Sequence, residues 1–342
     1  MSFYCGLDLS ARDCYVCVID DNLTLEVREK VKNELPRIIA LIEPFKEDLQ
    51  IVVESTFNWY WLVDGLQEQG FDVCLAHTLG LYMITGAKVK TDRRDAYALA
   101  KLLKAGVIPK AYIYPKGTRP TRDLLRRRST LIRLRAEEYG SLRRLLLREG
   151  ILDHSRNEIK HTVEEDLQEW FQHPMIKLHA RFQLERINLF TKQITKLEST
   201  ILATAKKRPE YKLLIIVPGI WKILAMTILY EVGEVSRFKD ARHFSSYCRV
   251  VPGVAQSGSS SRRGRGSKQG NPYLKCAFSQ AATFAVRYYP NIRRCFDRHL
   301  NRHRGRARKL IAYNIIAHKI AQAVYRVLCD GTEYREELMF DN

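Results

Sequence analysis

Phe3-Tyr4-Cys5-Gly6-Leu7-Asp8 is a mostly apolar run of strand type that ends on an aspartate. Ile51-Val52-Val53-Glu54 repeats the pattern with a glutamate at its end. Further on, Asp92-Arg93-Arg94-Asp95 opens a segment that reads as a helix, and three-residue spacing puts both aspartates on one helix face. Two strand ends and one helix face can meet at a point. Four carboxylates gathered there repel one another unless cations neutralise them, and hard divalent metals with oxygen ligands do so. A two-metal carboxylate site is a recurrent device of phosphodiester chemistry. Any one of these acids alone reads as a solvated or capping residue, Asp92 as a helix N-cap. The set of Asp8, Glu54, Asp92 and Asp95, in strand, strand, helix order, reads as a site.

Outward from these runs the N-terminal elements fall into order. Residues 3–9, 13–20 and about 22–32 read as three successive strands, separated by Ser10-Ala11-Arg12 and by Asp20-Asp21-Asn22. A helix is expected from Glu34 to about Phe45, then a strand Gln50–Glu54, a helix Asn58 to about Gln69, a strand Phe71–Ala76 and the helix from Asp92. Three strands followed by alternating strand and helix is the order of a ribonuclease-H-like mixed sheet, a step of fold analogy rather than of site chemistry.

Charge is unevenly spread along the 342 residues, whose formal net charge is +19. Residues 1–112 hold 13 Lys/Arg against 16 Asp/Glu, and the remainder 44 against 22. The acids of the candidate site therefore lie in a mildly acidic domain, and the strongly basic two-thirds point to a polyanionic partner. Eight cysteines show no zinc-type spacing. Cys14 and Cys17 form a CxxC inside the strand-like DCYVCVID, where they read as buried strand residues. No cleavable signal and no membrane-length apolar run is read, so an intracellular protein with reduced thiols is expected.

From about Thr118 to Lys207 leucines recur amid arginines. Leu124, Leu125, Leu131, Leu134 and Leu142 alternate with Arg126, Arg127, Arg128, Arg133, Arg135, Arg143 and Arg144. A second run, Leu184 to Ala205, carries Ile187, Leu189, Ile194, Leu197 and Ile201. Both read as long amphipathic helices forming an antiparallel arm. With few acids at i+4, the arginines are expected to contact phosphates; a coiled-coil dimer contact is an equal use of the leucines. Leu213 to Ile220, followed by Ala225, reads either as a helix-hairpin-helix, whose Pro218-Gly219 turn offers backbone N–H groups to a phosphate, or as a plain hairpin of core helices. Trp221 stands where such motifs often have a second glycine. The stretch Gln256 to Asn271 is low in apolar residues, rich in Gly, Ser and Arg, and reads as a flexible phosphate-binding loop; a serine nucleophile is the lesser reading from its chemistry alone. Basic faces follow at Asn291–His303 and Arg304–Arg308, then an apolar-rich helix at Leu310–Leu328.

These motifs together resemble the DEDD transposases of prokaryotic insertion sequences, relatives of the Piv-type invertases that include the bridge-RNA-guided recombinases. The resemblance spans nearly the whole chain. It is carried by Gly6-Leu7-Asp8, Val53-Glu54-Ser55-Thr56, Lys90-Thr91-Asp92-Arg93-Arg94-Asp95-Ala96, Val217-Pro218-Gly219-Ile220, Arg237-Phe238, Val251-Pro252-Gly253, Ser257-Gly258 and Lys268-Gln269-Gly270-Asn271. Arg308-Lys309-Leu310 and Asp330-Gly331-Thr332-Glu333-Tyr334 close the series; Trp221 and Lys275 depart from it.

The resemblance implies an α/β-plus-α chain in three parts. These are a RuvC-like DEDD domain over 1–112, a helical or coiled-coil arm and linker over 113–208, and a mainly helical transposase domain over 209–342. It implies Asp8, Glu54, Asp92 and Asp95 as metal ligands for Mg2+, with Mn2+ fitting the same oxygens. It implies Ser257 as the nucleophile, with Ser259, Ser260 and Ser261 crowding the assignment. Arg126, Arg127, Arg128, Arg133, Arg262, Arg263, Arg265 and Lys268 are the expected nucleic-acid contacts. The implied partners are donor and target DNA, a non-coding bridge RNA and further copies of the chain in a homodimer or homotetramer, in a nucleoid-associated cytoplasmic setting. A hydrolytic endonuclease or junction resolvase without a covalent intermediate stays open, as does a binding protein with a decayed site.

Overall fold

The computed structural model describes residues 1–78, 80–81, 92–151, 156–205, 208–251, 253–257, 260–264 and 269–340, without the side chains of 92, 93, 156, 205, 253–257, 260–264, 338 and 340. The chain divides into two compact units, Met1–Lys116 and Gly117–Asn342.

The first unit is built on a five-stranded mixed sheet. Its elements are β1 (Phe3–Leu9), β2 (Asp13–Ile19), β3 (Leu25–Lys32), α1 (Leu35–Ile42), β4 (Leu49–Glu54), α2 (Tyr60–Glu68), β5 (Asp72–Ala76) and α3 (Asp92–Lys104). The strand order is β3-β2-β1-β4-β5, with β1 antiparallel to β2 and parallel to β4. Two expected boundaries shift for local reasons. β3 begins at Leu25, not at about residue 22, because Asp20 Oδ1 accepts from the backbone N–H of Asn22 and Thr24 and holds a turn there. Helix α1 ends at Ile42 and a 3-10 segment runs Glu43–Asp48, because Pro44 has no N–H to continue an α-helix.

Period-two alternation sorts the sheet into two faces. On one, Cys5, Leu7, Leu9, Cys14, Val16, Val18, Ile51 and Val53 pack with Ile38 and Ile42 of α1 and Leu62 and Leu66 of α2. On the other, Cys17 and Ile19 pack with Ala96 and Ala100 of α3, and Val52 packs with Leu99. Both cysteines of the CxxC are fully buried strand residues.

In the second unit, α4 (Arg119–Arg148), α5 (Arg156–Lys160), α6 (Glu164–Trp170) and α7 (Pro174–Ala205) come first. Polar pairs link α4 to α7 in opposite senses: Arg128 to Glu198, Arg135 to Thr191, Arg186 to Glu138, and Gln183 to Ser141. The two long helices therefore run antiparallel. Far along the pair, Leu142, Leu145, Leu146, Leu167, Phe171 and Leu184 form their own apolar knot.

The rest is α8 (Pro209–Ile215), α9 (Lys222–Val232), α10 (Ala241–Tyr247), a hairpin β6 (Gly253–Ser257) and β7 (Ser260–Gly264), α11 (Pro272–Tyr288), α12 (Pro290–Arg302), α13 (Arg308–Asp330) and α14 (Glu337–Phe340). A core of Phe244, Phe278, Ile316, Ile320 and Val324 joins α10, α11 and α13, and takes in Leu125 and Ile201 from the long helices. Among the described residues no helix is long and apolar enough to cross a membrane.

Candidate active site

Gly6 fixes the position of α3. A Cβ built on Gly6 would lie 2.0 Å from the carbonyl oxygen of Ala96, 2.8 Å from the nitrogen of Ala100 and 3.0 Å from Leu99 Cβ. The helix backbone thus rests directly on β1, and small residues on both sides, Gly6, Ala96 and Ala100, permit it. The face of the sheet that carries Gly6 is the face α3 covers. Asp8, two residues on, belongs to the same face.

The parallel register of β1 and β4 pairs Gly6 with Val52 and Leu7 with Val53. Val52 packs against Leu99 of α3, so Glu54, two residues on, also belongs to that face. Asp8 and Glu54 therefore occupy the carboxyl ends of neighbouring parallel strands and share one face. In open α/β sheets, ligands bind outside these strand ends. Asp95 immediately precedes Ala96, the residue whose carbonyl touches Gly6. Glu54 is buried, while Asp8 and Asp95 are half-buried. The negative charge of Asp8 is felt at Cys14, whose thiol is pushed up to about 12, first by burial and then by that carboxylate.

Asp92 opens α3, and its side chain lies outside the described residues. Among the described residues no three His, Cys, Asp or Glu side chains are placed to hold a metal. The donor chemistry of Asp8, Glu54 and Asp95 is all hard oxygen, the kind that Mg2+ and Mn2+ take.

The basic serine-rich stretch, read from composition as a flexible loop, is a two-stranded antiparallel hairpin. Ser257 stands opposite Ser260, Gln256 opposite Ser261, and Ala255 and Val254 opposite Arg262 and Arg263. Gly258, Ser259, Arg265 and Lys268 lie outside the described residues. Hydrogen bonds join the segments that flank the hairpin in sequence. Arg249 donates from Nε to the carbonyl of Gln269 at 3.0 Å, and the Asn271 N–H donates to the Tyr247 carbonyl at 2.7 Å. Asn314 of α13 donates to the Val250 carbonyl at 3.1 Å. The two stems are thereby held side by side. Gly270, at φ +94°, is required there, since a Cβ would meet the Tyr247 carbonyl oxygen at 2.4 Å.

Asn271 is the hinge of this arrangement. Its Oδ1 accepts from the N–H of Tyr273 and Leu274 and caps α11, with Pro272 at the favoured first position. Its Nδ2 donates to Glu231 Oε2 at 2.7 Å. Glu231 is fully buried in α9 and also receives Arg122 and Arg126 of α4, Arg126 through Nε at 2.6 Å and Nη2 at 2.9 Å. Burial works to raise the Glu231 carboxyl. The Arg126 hydrogen bond, the charges of Arg122 and Arg126, and the Asn271 hydrogen bond outweigh it and hold the group below its ordinary 4.5.

The Arg126 guanidinium, one of the expected nucleic-acid contacts, is thus engaged with Glu231 while its side chain stays 32% exposed. Arg128 likewise reaches Glu198 at 2.6 Å, and Arg133 reaches Glu137 at 2.6 Å. Arg127 is exposed. Sequence reasoning passed over Glu231 and the polar atoms of Asn271. A lone acid in the apolar run Ile228-Leu229-Tyr230-Glu231-Val232, and an Asn-Pro pair before a helix, were the available signals.

Comparison with known proteins agrees with these features. Residues 5–150 match a DEDD transposase family model, and residues 211–297 match the model described as the Transposase IS116/IS110/IS902 family. A Sinorhizobium fredii protein named as a transposase, y4qE, is 24% identical over 295 residues, covering 84% of this chain and 73% of its own length. A Pseudomonas aeruginosa protein named as a family 20 transposase is 24% identical over 343 residues, covering 96% of this chain and 98% of its own. An insertion-element IS110 protein of Streptomyces coelicolor is 28% identical over 142 residues, covering 42% of this chain and 34% of its own. The fold and these matches define a transposase, an enzyme of DNA transposition. The chain belongs to the DEDD transposases of the IS110 family of insertion sequences.

Proposed function

We propose that this transposase cuts and rejoins DNA through a covalent serine intermediate, with Ser257 as nucleophile and the acids of the first unit as its metal site. In the cutting step the Ser257 hydroxyl oxygen forms a bond to a DNA phosphorus, its proton is taken up, and one bridging P–O bond breaks. The released DNA oxygen leaves as a hydroxyl. Rejoining reverses the exchange with a hydroxyl from another strand, so phosphodiester bonds are conserved and no high-energy cofactor is consumed. Asp8, Glu54, Asp92 and Asp95 would hold Mg2+, which supplies charge neutralisation at the phosphate and at the departing oxygen. Arg127, Arg262, Arg263, Arg265 and Lys268 would contact the DNA backbone. A structured non-coding RNA would select the joined sequences by pairing, and a dimer or tetramer would bring the two sites together.

The observation that carries this reading is the placement of Asp8 and Glu54 on one face at adjoining parallel strand ends, under the helix of Asp95. The strand order β3-β2-β1-β4-β5 supports the ribonuclease-H-like, RuvC-like assignment of that unit. For the serine, the support is that Ser257 ends a strand of a hairpin with an anchored base.

The test is trapping. Purified protein is incubated with Mg2+, end-junction DNA of its element and the RNA transcribed beside the gene, then denatured and examined for DNA attached to protein. An adduct absent from Ser257→Ala and from Asp8→Asn is expected. Clean nicks without an adduct, surviving Ser257→Ala but lost in Asp8→Asn, would identify a hydrolytic nuclease instead.

A further inference from the structure

The turn between α8 and α9 presents aromatic rings to solvent. Gly219, at φ +81°, lets the turn lie on α11: a Cβ there would meet the Ala281 carbonyl oxygen at 2.1 Å. This contact brings Trp221 beside Phe284 and Tyr288, which are one helical turn apart on α11. Trp221 is 5.8 Å from Phe284 and 6.3 Å from Tyr288 between ring centroids, and Phe284 and Tyr288 are near-parallel at 14°. Trp221 is 59% exposed and Tyr288 54%. Large rings left in water beside one another mark a binding surface more often than chance exposure does.

The rim of the patch is basic. Lys222 and Arg287 are exposed, and the Arg287 guanidinium sits 5.3 Å from the Tyr288 ring. Neither residues 211–230 nor residues 272–288 contain an acid. A second copy of a chain with net charge +19 would bring like charge to this rim. Unpaired nucleotides bring the complement of both features, a π face for each ring and a phosphate for each cation. We infer that Trp221, Phe284 and Tyr288 form a stacking platform for unpaired nucleobases of DNA or RNA, with Lys222 and Arg287 on the adjoining phosphates. The inference rests on the nucleic-acid reading of the preceding section and deepens it. It also gives Trp221 a role at the position where a helix-hairpin-helix would carry glycine.

The experiment is fluorescence anisotropy with the full chain and labelled thymidylate and uridylate single strands of about 12 nucleotides, beside a duplex of equal length. Trp221→Ala and Tyr288→Ala are expected to weaken single-strand binding about tenfold, the loss of one stacked base. The salt dependence of affinity keeps its slope, because no phosphate contact is removed. Duplex affinity is unchanged, and Trp221→Phe recovers most of the loss. A larger loss on uridylate than on thymidylate identifies RNA as the source of the bases, and the reverse identifies DNA.

Unchanged single-strand binding in Trp221→Ala overturns the inference. So does an equal loss on duplex and single strand, or a smaller sedimentation coefficient in place of a binding loss, which would assign the patch to a second copy. The trapping assay separates the two readings. If wild-type protein forms the serine adduct while Trp221→Ala binds single strands normally, only the platform fails. A selective single-strand loss without any adduct leaves the platform and removes the serine mechanism. Wild-type protein that binds no nucleic acid removes both.

Discussion

Asn271 and Glu231 are joined by a 2.7 Å hydrogen bond that ties the base of the serine hairpin to a buried carboxylate. The same Asn271 caps α11, and the same Glu231 receives two arginines of α4. Three elements of the second unit therefore share one polar junction.

Removing the acid leaves Arg122, Arg126 and the Asn271 amide without their acceptor in the interior. Glu231→Ala is expected to cost about 3–5 kcal/mol, the range for breaking a buried ion pair from one side. Asn271→Ala loses a helix cap as well as the link, about 1–2 kcal/mol for the cap alone. Urea unfolding followed by circular dichroism measures both. A Glu231→Ala variant as stable as wild type would show that water replaces the carboxylate at no net cost.

Glu231 also sets a pH dependence. Its carboxyl is held below 4.5 in the folded chain, so its contribution is fully present above about pH 4.5, the unfolded value, and is lost as pH falls through the folded value. Wild-type Tm should therefore fall more steeply with acid below about pH 4.5 than that of Glu231→Gln, which has no such proton to bind. Calorimetry of both proteins across that range checks the sign; parallel curves would remove Glu231 from the acid response.

Gly6→Ala places a methyl group 2.0 Å from a helix carbonyl that cannot rotate away. The whole of α3 must shift off the sheet, at about 1–3 kcal/mol for overpacking and more if the backbone resists. Because Asp95 rides on that helix, adduct formation should fall further than DNA binding. Equal losses in the two assays would mean that the displacement affects folding alone.

The thiols divide by position. Cys276 and Cys329 are exposed, whereas Cys5, Cys14, Cys17, Cys248 and Cys295 are buried. Burial pushes Cys14 up to about 12 and Cys17 up to about 11, so neither supplies thiolate at neutral pH. Iodoacetamide followed by mass spectrometry should modify Cys276 and Cys329 in the native protein, and the CxxC pair only after denaturation. Prompt native labelling of Cys14 would contradict the described sheet.

Much of the first unit was legible in the sequence because its signals are local. Apolar strands announce themselves by residue type, and an acid ending each of two such runs stands out against them. That Asp8 and Glu54 share a face follows from register, and the two-residue period from Gly6 and Val52 transmits it. The second unit hid more. Arg126 reads as a phosphate-contacting member of a basic run because its acceptor, Glu231, is 105 residues away, and nothing in the run itself marks the pairing. The serine hairpin carries few apolar residues to alternate, so no period-two pattern marks its strands, and the bonds of Arg249, Asn271 and Asn314 beside it join residues far apart in sequence. Sequence patterns report what a residue would bury, and these residues act by what they bond.

The antiparallel pair of α4 and α7 has a consequence of scale. Each helix has 30 residues or more, so the pair is about 45 Å long from end to end at 1.5 Å per residue. That exceeds the 34–36 Å of one duplex turn. Arg122 and Arg126 stand near the start of α4, and the apolar knot stands at its far end. One continuous helix, α4, thus spans from the Glu231 junction near its start to the apolar knot near its end.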